Sequence, residues 1–255
     1  MKRKTIVTAL LVLVTLSIPL SLYSQSQDFQ MNGTVLVKYR GSAADVTIPA
    51  GVTSIGEQAF AECESLFSVT IPSSVTSIGI GAFFRCRNLD VITIPSSVAS
   101  IGRMAFAKCY GLFSVTIQSG VIFIGYGAFF DCQGLRIVNI PSSVTSIGEG
   151  AFFGCKSLTS INIPSGVTSI ENEAFSNCTS LTSVTFASDS QLQSIGERAF
   201  EDCESLTSII IPSSVTSIEE SAFDGCTSLT SVTVSRRTRI VEYAFPETAR
   251  ITYSD

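Results

Sequence analysis

One repeat period governs almost the whole chain. Three residue types recur every 23 residues, with a single step of 25, through eight successive units. The isoleucines are Ile55, Ile78, Ile101, Ile124, Ile147, Ile170, Ile195 and Ile218; the phenylalanines are Phe60, Phe83, Phe106, Phe129, Phe152, Phe175, Phe200 and Phe223; the cysteines are Cys63, Cys86, Cys109, Cys132, Cys155, Cys178, Cys203 and Cys226. A fixed period of this length is typical of a solenoid, in which each coil buries its apolar face only against its neighbours. The sequence therefore predicts eight full coils and, between Ile240 and Phe245, part of a ninth.

The apolar spacing inside one coil predicts how the chain turns. In the fifth coil, an L-x-x-I-x-I pattern ending at Ile163 alternates in its last half, as a strand does. Pro164 stops this strand, and a shorter extended segment ends at Ile170. Phe152 and Cys155 lie three residues apart, which indicates one helical turn. We predict a β-rich repeat solenoid with two ladders of stacked parallel strands, short helical turns, eight 23-residue coils and caps.

The repeat unit resembles a known family. Read from Leu135 to Cys155, it is L-x-x-V-x-I-P-x-x-V-x-x-I-G-x-x-A-F-x-x-C, which is similar to the BspA-type leucine-rich repeat. The resemblance covers about residues 32–250 and implies a leucine-rich-repeat solenoid with a broad parallel sheet. It also implies a secreted or surface protein that acts as an adhesin, binding host extracellular-matrix proteins or other microbes.

The N-terminal segment has the features of a sorting signal. Lys2, Arg3 and Lys4 precede an apolar run over residues 5–22, and a small-x-small pattern places cleavage after Ser26. The run is also near the minimum length of a membrane-spanning helix, so an uncleaved anchor is the alternative. Either outcome predicts a secreted or cell-surface location, or a periplasmic one. Membrane contact is expected only through this segment, if it is uncleaved.

The predicted organisation has four parts. Residues 1–26 are the signal peptide, 27–50 an N-terminal cap, 51–235 the leucine-rich-repeat solenoid, and 236–255 a C-terminal cap that includes the partial ninth coil. Both caps lack parts of the repeat unit. Such terminal segments cover the apolar faces that the first and last coils would otherwise expose.

The composition excludes several functions. Because the chain contains no histidine, it has no Ser-His-Asp triad, Cys-His dyad or imidazole general base. No serine or threonine lies in a nucleophile elbow, so we expect no enzyme and no cofactor. The formal net charge is −5, or −8 without the three basic residues of the signal segment, which argues against nucleic-acid binding.

The cysteines and carboxylates have structural explanations. An even cysteine count in a secreted protein favours disulfides, but one cysteine at the same place in every coil is better explained as a ladder of buried, reduced thiols. A line of sulfurs cannot surround a zinc ion tetrahedrally, so no metal site is predicted there. Acidic residues crowd the seventh and eighth coils; calcium binding is one interpretation, and a solvated face is the other. They are Glu197, Glu201, Asp202, Glu204, Glu219, Glu220 and Asp224.

Outward-facing positions of the L-x-x-V-x-I strand vary mainly in the first four coils. From the fifth coil onward these positions are almost uniformly serine and threonine. Aromatic and arginine side chains are typical of interface hot spots, so we predict a protein-binding patch on the N-terminal half. Its residues are Phe67, Asp90, Val91, Phe113, Arg136 and Ile137. The alternative is that Phe67 and Phe113 pack over the edge of the sheet.

Charge divides the chain in the same way. Residues 80–140 carry a local charge of +3, whereas residues 141–230 carry −9. A protein ligand with acidic patches would be steered to the first of these zones. We therefore predict a secreted or surface protein-binding module that contacts a matrix or microbial surface protein. The alternative is a structural or self-associating extracellular repeat protein without a host ligand, and the oligomeric state is left open.

Overall fold

A computed structural model describes residues 27–254 of the chain. The predicted signal segment lies outside the described residues, so cleavage after Ser26 stays a prediction. Within the described range, no helix combines the length and the apolar character that crossing a membrane requires.

The shorter strands of the coils form one continuous sheet, which we call the narrow sheet. Most of its strands are only two residues long, and from β2 onward they pair in parallel with the same register in successive coils. The eleven strands in spatial order are β1 (Phe29–Asn32), β2 (Val35–Tyr39), β4 (Ser54–Ile55), β6 (Ser77–Ile78), β8 (Ser100–Ile101), β10 (Phe123–Ile124), β12 (Ser146–Ile147), β14 (Ser169–Ile170), β16 (Ser194–Ile195), β18 (Ser217–Ile218) and β20 (Arg239–Ile240).

The longer strands form the second ladder, which we call the broad face. It consists of three parallel sheets rather than one: a sheet of five strands, one of two and one of three. In order, they are β3 (Asp45–Thr47), β5 (Ser68–Thr70), β7 (Val91–Ile94), β9 (Ser114–Ile117) and β11 (Ile137–Asn139); β13 (Ser160–Ile163) and β15 (Ser183–Phe186); and β17 (Ser208–Ile210), β19 (Ser231–Ser235) and β21 (Arg250–Ser254). The two predicted ladders are thus confirmed, but the broad one is interrupted after β11 and after β15.

The segment that carries the phenylalanine and cysteine is a series of turns, so the prediction of a helical turn there is wrong. In the first coil, the N–H of Ala61 donates to the carbonyl of Gln58 at 3.1 Å, as in a tight turn. The N–H of Phe60 instead donates to Ala82 of the next coil at 2.7 Å. Gln58 and Glu62 have positive φ angles of 51° and 62°. Because alternate N–H groups point to the next coil, a helical hydrogen-bond ladder cannot form.

The core is a stack of aromatic rings that runs the length of the solenoid. Neighbouring rings from Phe60 to Phe223 lie 4.8–5.4 Å apart between centroids and are nearly parallel. Tyr39 extends the stack at the N-terminal end and Phe245 at the C-terminal end. All eight repeat phenylalanines are fully buried, as the register of the repeat predicts.

The repeat cysteines line this core. Seven are buried, Cys63 is half-buried, and all eight are free thiols. The thiol of Cys86 donates to the carbonyl oxygen of Phe60 in the preceding coil at 3.1 Å, and all six later cysteines make the equivalent bond. Burial raises the pKa of the Cys63 thiol to about 11 and that of Cys178 to about 12. The cysteines therefore pack as small apolar groups that also satisfy one carbonyl per coil.

The N-terminal segment closes the first coil with a hairpin. Strand β1 pairs antiparallel with β2, which then joins the narrow sheet by pairing with β4. Strand β3 begins the broad face by pairing with β5. At the other end, β20 is the last strand of the narrow sheet and β21 is the last strand of the broad face.

Candidate protein-binding surface

The predicted patch lies on the uninterrupted five-stranded part of the broad face. Val91 of β7 is in register with Ser68 of β5 and Ser114 of β9, and Ser114 is in register with Ile137 of β11. These four side chains therefore form one outward-facing column across four coils. Val91 is 45% exposed and Ile137 is 55% exposed. The next residue of each strand, Ile92 and Val138 respectively, packs against the core.

A second column runs directly beside the first. The N–H of Asp90 donates to Phe67 at 3.0 Å, that of Phe113 to Asp90 at 2.7 Å, and that of Arg136 to Phe113 at 3.0 Å. The backbone thus holds these four residues side by side in successive coils. The Arg136 guanidinium carbon lies 6.0 Å from the Phe113 ring centroid, within reach of a cation–π interaction.

The structure brings all six predicted residues together in these two columns, which we call the front patch. Phe67 is 51% exposed and Phe113 41%, so neither ring is packed away over the sheet edge. Asp90 is half-buried and Arg136 is exposed. The arrangement offers two aromatic faces, two aliphatic side chains, one cation and one anion on a regular strand surface.

Asp45 extends the front patch and was missed by the sequence reasoning. It lies in β3, in register with Ser68, whose hydroxyl donates to the Asp45 carboxylate. The signal that could have found it is the D-V-T-I-P segment of the N-terminal cap. That segment aligns with S-V-T-I-P of the first coil and places Asp45 in the same outward column.

Other exposed apolar residues of the same coils lie on the narrow sheet. Phe123 replaces the usual serine of β10 and sits between Ser100 and Ser146 of the neighbouring strands. Phe123 is 42% exposed. In the turn that follows, the Arg103 guanidinium carbon lies 4.5 Å from the ring centroid of Tyr126. The bulky side chains that interrupt the serine and threonine pattern in the first four coils thus lie on both the broad face and the narrow sheet.

The basic residues near the front patch are partly paired. Arg85 contacts Glu62 at 3.0 Å and Arg87 contacts Glu64 at 3.9 Å, and all four side chains are well exposed. Exposed pairs of this kind contribute little to stability. Arg136 instead lies near the Phe113 ring within the front patch.

The acidic side chains of the last coils are partly paired with two basic residues, and Glu219 contacts Arg239 at 2.8 Å. Arg198 lies 3.5 Å from both Glu197 and Glu201. Burial raises the pKa of Glu201, although the hydroxyl of Ser176 and the charge of Arg198 act in the opposite direction. Among the described residues, no group of three or more potential ligands is placed to hold a metal ion. The arrangement is that of a largely solvated acidic surface.

Stacked coils of this length, with two parallel ladders and a core of one phenylalanine per coil, define a leucine-rich-repeat solenoid. A family model described as BspA type leucine rich repeat region, in six copies, matches residues 38–159 and 145–254. The chain therefore belongs to the BspA-type leucine-rich-repeat family. Proteins of this class generally act as non-enzymatic scaffolds that bind other proteins through their extended surfaces.

Solved structures of bacterial leucine-rich-repeat proteins are similar. The T. pallidum leucine-rich-repeat protein TpLRR shares 30% identity, with a TM-score of 0.66 over 71% of this chain and 89% of that one. A leucine-rich-repeat protein from Eubacterium ventriosum shares 28% identity, with a TM-score of 0.54 over 77% of this chain and 47% of that one. A leucine-rich cell surface protein from Faecalibacterium prausnitzii shares 26% identity, with a TM-score of 0.38 over 89% and 93% of the two chains. A search of curated proteins gave no significant match.

Proposed function

We propose that this protein is a secreted or cell-surface adhesin that binds a protein ligand through the front patch. The ligand class is a host extracellular-matrix protein or a surface protein of another microbe. The observation that carries the proposal is the alignment of six non-repeating side chains in two adjacent columns on a regular parallel sheet.

The chemistry of the front patch supports protein recognition. Aromatic and arginine side chains gain most when an interface excludes water, and they dominate measured hot spots. Phe67 and Phe113 are half exposed in the free protein, so a partner can bury both rings. The strands beneath the patch are continuously paired, which means that little backbone order has to be gained on binding.

Electrostatics supports a partner with acidic patches. The net charge of +3 over residues 80–140 contrasts with −9 over residues 141–230. A dipolar surface of this kind orients an approaching acidic partner toward the first half and raises its association rate. The N-terminal charged and apolar segment supports export of the chain to the side of the membrane where such partners occur.

The first test is a capture experiment with the secreted protein against matrix proteins and co-resident microbes. Once a partner is captured, the double variant Phe113→Thr with Arg136→Thr introduces the residue that later coils carry. We expect it to weaken binding by at least about 2 kcal/mol, the hot-spot scale, in a calorimetric titration.

The matched control changes two exposed threonines of the same column in later coils. Thr159→Ala with Thr230→Ala leaves the front patch intact and should leave the affinity unchanged. Equal affinity of the parent and the front-patch variant would contradict the proposal. Concentration-dependent self-association with no heterologous partner would favour the structural alternative instead.

A further inference from the structure

The two ends of the solenoid are covered to different extents. At the N-terminal end, Phe29 of β1 packs on Tyr39 with ring centroids 5.2 Å apart, and both rings are buried. At the C-terminal end, Phe245 packs on Phe223 at a centroid distance of 5.0 Å but is only half-buried. The N-terminal hairpin therefore covers its end of the aromatic stack, whereas the described residues leave Phe245 partly uncovered.

The last strand of the broad face shows the same difference. Residues in register on neighbouring parallel strands point to the same side of the sheet. Tyr253 of β21 is in register with Val234 of β19, yet Tyr253 is 47% exposed and Val234 is fully buried. In β3, the first strand of the broad face, the inward-facing Val46 is only 2% exposed. The C-terminal end thus exposes apolar side-chain surface that one more coil would cover.

Both ends of the solenoid also present strands with one unpaired edge. In the described part of the chain, β3 and β21 are the first and last strands of the broad face, and β1 and β20 are those of the narrow sheet. Unlike the strands beside the internal interruptions, these four have no described coil stacked on their outer edge. Such edges carry unused backbone donors and acceptors and are templates for pairing with another chain.

The outward column of the broad face that includes Val91 begins and ends with opposite charges. Its first residue is Asp45 of β3, in register with Ser68, and its last is Arg250 of β21, in register with Ser231. Both charged residues are exposed, and those between them are uncharged serine, valine and isoleucine. A second copy that continued the ladder in the same register would place its Asp45 beside Arg250 of the first copy. Opposite charges side by side on neighbouring strands attract each other.

Net charge favours contact between unlike ends. Residues 27–64, which include the N-terminal hairpin and the first coil, hold five acidic and two basic side chains. Residues 236–250, at the C-terminal end, hold four arginines and two glutamates. Two N-terminal ends or two C-terminal ends would therefore repel each other, whereas an N-terminal end attracts a C-terminal one. The occupant that fits the C-terminal end is the N-terminal end of a second copy of this chain.

We propose that the protein associates head to tail, with the N-terminal end of one copy covering the C-terminal end of the next. Strand β21 pairs in parallel with β3 of the second copy, as strands of the broad face pair within one chain, and Arg250 lies beside the second copy's Asp45. Because this contact joins two different surfaces, it does not close at two copies, and longer assemblies form as the concentration rises. One coil end is a small interface, so we expect the association to be weak.

The test is sedimentation velocity of the protein secreted from the full-length chain, between micromolar and near-millimolar concentrations. We expect the average mass of the parent to rise continuously with concentration. Arg250→Asp places a carboxylate against Asp45 and should weaken the association at least about tenfold. Lys156→Asp makes the same charge change at an exposed position in the middle of the solenoid. It is the matched control and should associate as the parent does.

A mixture of two variants separates the contact from any effect on folding. Asp45→Arg places an arginine against Arg250 and should by itself weaken the association as strongly as Arg250→Asp does. In an equimolar mixture of the two variants, every contact between unlike proteins joins a carboxylate to a guanidinium group. The mixture should therefore recover most of the association of the parent, which two misfolded proteins could not do.

Three outcomes would overturn the proposal. The first is a parent protein that stays monomeric up to near-millimolar concentration. The second is association that stops at two copies, which would indicate contact between like surfaces. The third is an Arg250→Asp variant that associates as the parent does, or a mixture of the two variants that associates no better than either alone.

The outcome is independent of the proposed adhesin function. The front-patch variant Phe113→Thr with Arg136→Thr should associate as the parent does, because neither residue lies at an end of the solenoid. Arg250→Asp leaves the front patch unchanged and should bind a captured ligand with the affinity of the parent in a calorimetric titration. A failure of one proposal thus leaves the other standing.

Discussion

The first four coils and the last four share one core but differ in what they expose. In both halves the phenylalanine stack continues without a break, and its spacing stays between 4.8 and 5.4 Å. The first half carries bulky, varied side chains on a continuous ladder. The second half carries nearly uniform serine and threonine on a ladder that is interrupted after β15. A repeat protein can therefore differentiate its surface in two ways, by changing side chains or by breaking the pairing between coils.

The two halves also differ in charge without differing in packing. Residues 51–140 hold five basic and five acidic side chains, whereas residues 141–230 hold two basic and eleven acidic ones. Both sets are mainly exposed, and the core beneath them is apolar throughout. The charge difference therefore bears on association with partners rather than on the fold.

Alkaline pH should produce the largest effect, because thiols in both halves act together. Burial raises the pKa of Cys63, Cys109, Cys155, Cys178 and Cys203. The folded state thus keeps these protons at pH values where the unfolded chain loses them. The stabilisation is complete below the thiol pKa of the unfolded chain and is lost as pH rises toward the folded value. With the folded pKa of Cys178 at about 12, its share of the loss is about 2 kcal/mol at pH 10.5.

This prediction can be checked by chemical denaturation between pH 8 and 10.5, with alkylation mapped to each cysteine by mass spectrometry. If the halves share one cooperative core, the cysteines of both should become reactive in one transition, except that half-buried Cys63 reacts earlier. Alkylation of Cys203 long before Cys109 would show that the second half is an independent, weaker unit.

Truncating a core ring should cost about the same in either half. Phe106→Ala and Phe200→Ala each remove a fully buried ring from the stack and should lower the free energy of unfolding by about 3–5 kcal/mol. Equilibrium denaturation of the two variants measures the difference directly. A cost for Phe200→Ala that is several-fold smaller would mean that the interruption after β15 loosens the core as well as the surface.

Removing Ser188 and Asp189 should stabilise the protein slightly. The Ser214 hydroxyl is buried without a hydrogen-bond partner among the described residues. The deletion gives the preceding loop the length it has in the other coils, where the equivalent Ser97 hydroxyl donates to the carbonyl of Val75. We expect a gain of about 0.5–1.5 kcal/mol in the free energy of unfolding from this one added hydrogen bond, measured by denaturant titration. A loss of stability would indicate that the longer loop is required by the packing around it.

Breaking a surface ion pair should have the smallest effect. Arg85→Ala removes the exposed contact with Glu62 and should change the free energy of unfolding by less than about 1 kcal/mol. The same measurement on Arg198→Ala, in the acidic half, provides the comparison. A large loss in only one of them would show that charge contributes unequally to the stability of the two halves.

The regular features of this protein could be predicted because they repeat. The repeat spacing of 23 residues places Phe106 and Phe200 at the same position of different coils. Because every coil packs in the same way, a phenylalanine that is buried in one coil is buried in all of them. The same argument predicted the two ladders and the family. It failed for the segment from Phe60 to Cys63, since a spacing of three residues is compatible with a helical turn or with successive tight turns. Only the hydrogen bonds to the next coil distinguish the two.

The irregular features required the tertiary structure. The sequence shows one step of 25 residues and an isoleucine at position 210, but neither feature by itself predicts the surface around it. Whether the extra residues are absorbed by the loop or separate β15 from β17 depends on the position of one coil relative to the next.

The sequence by itself determined the fold, the core and the order of the exposed columns, because each coil is equivalent to its neighbours and local spacing is sufficient to align them. The structure alone decided that Phe67 and Phe113 are exposed, that Asp45 joins their surface, and that the C-terminal end of the stack is only partly covered. These features depend on contacts between residues about 20 or more positions apart, and no local pattern in the chain encodes whether such contacts form.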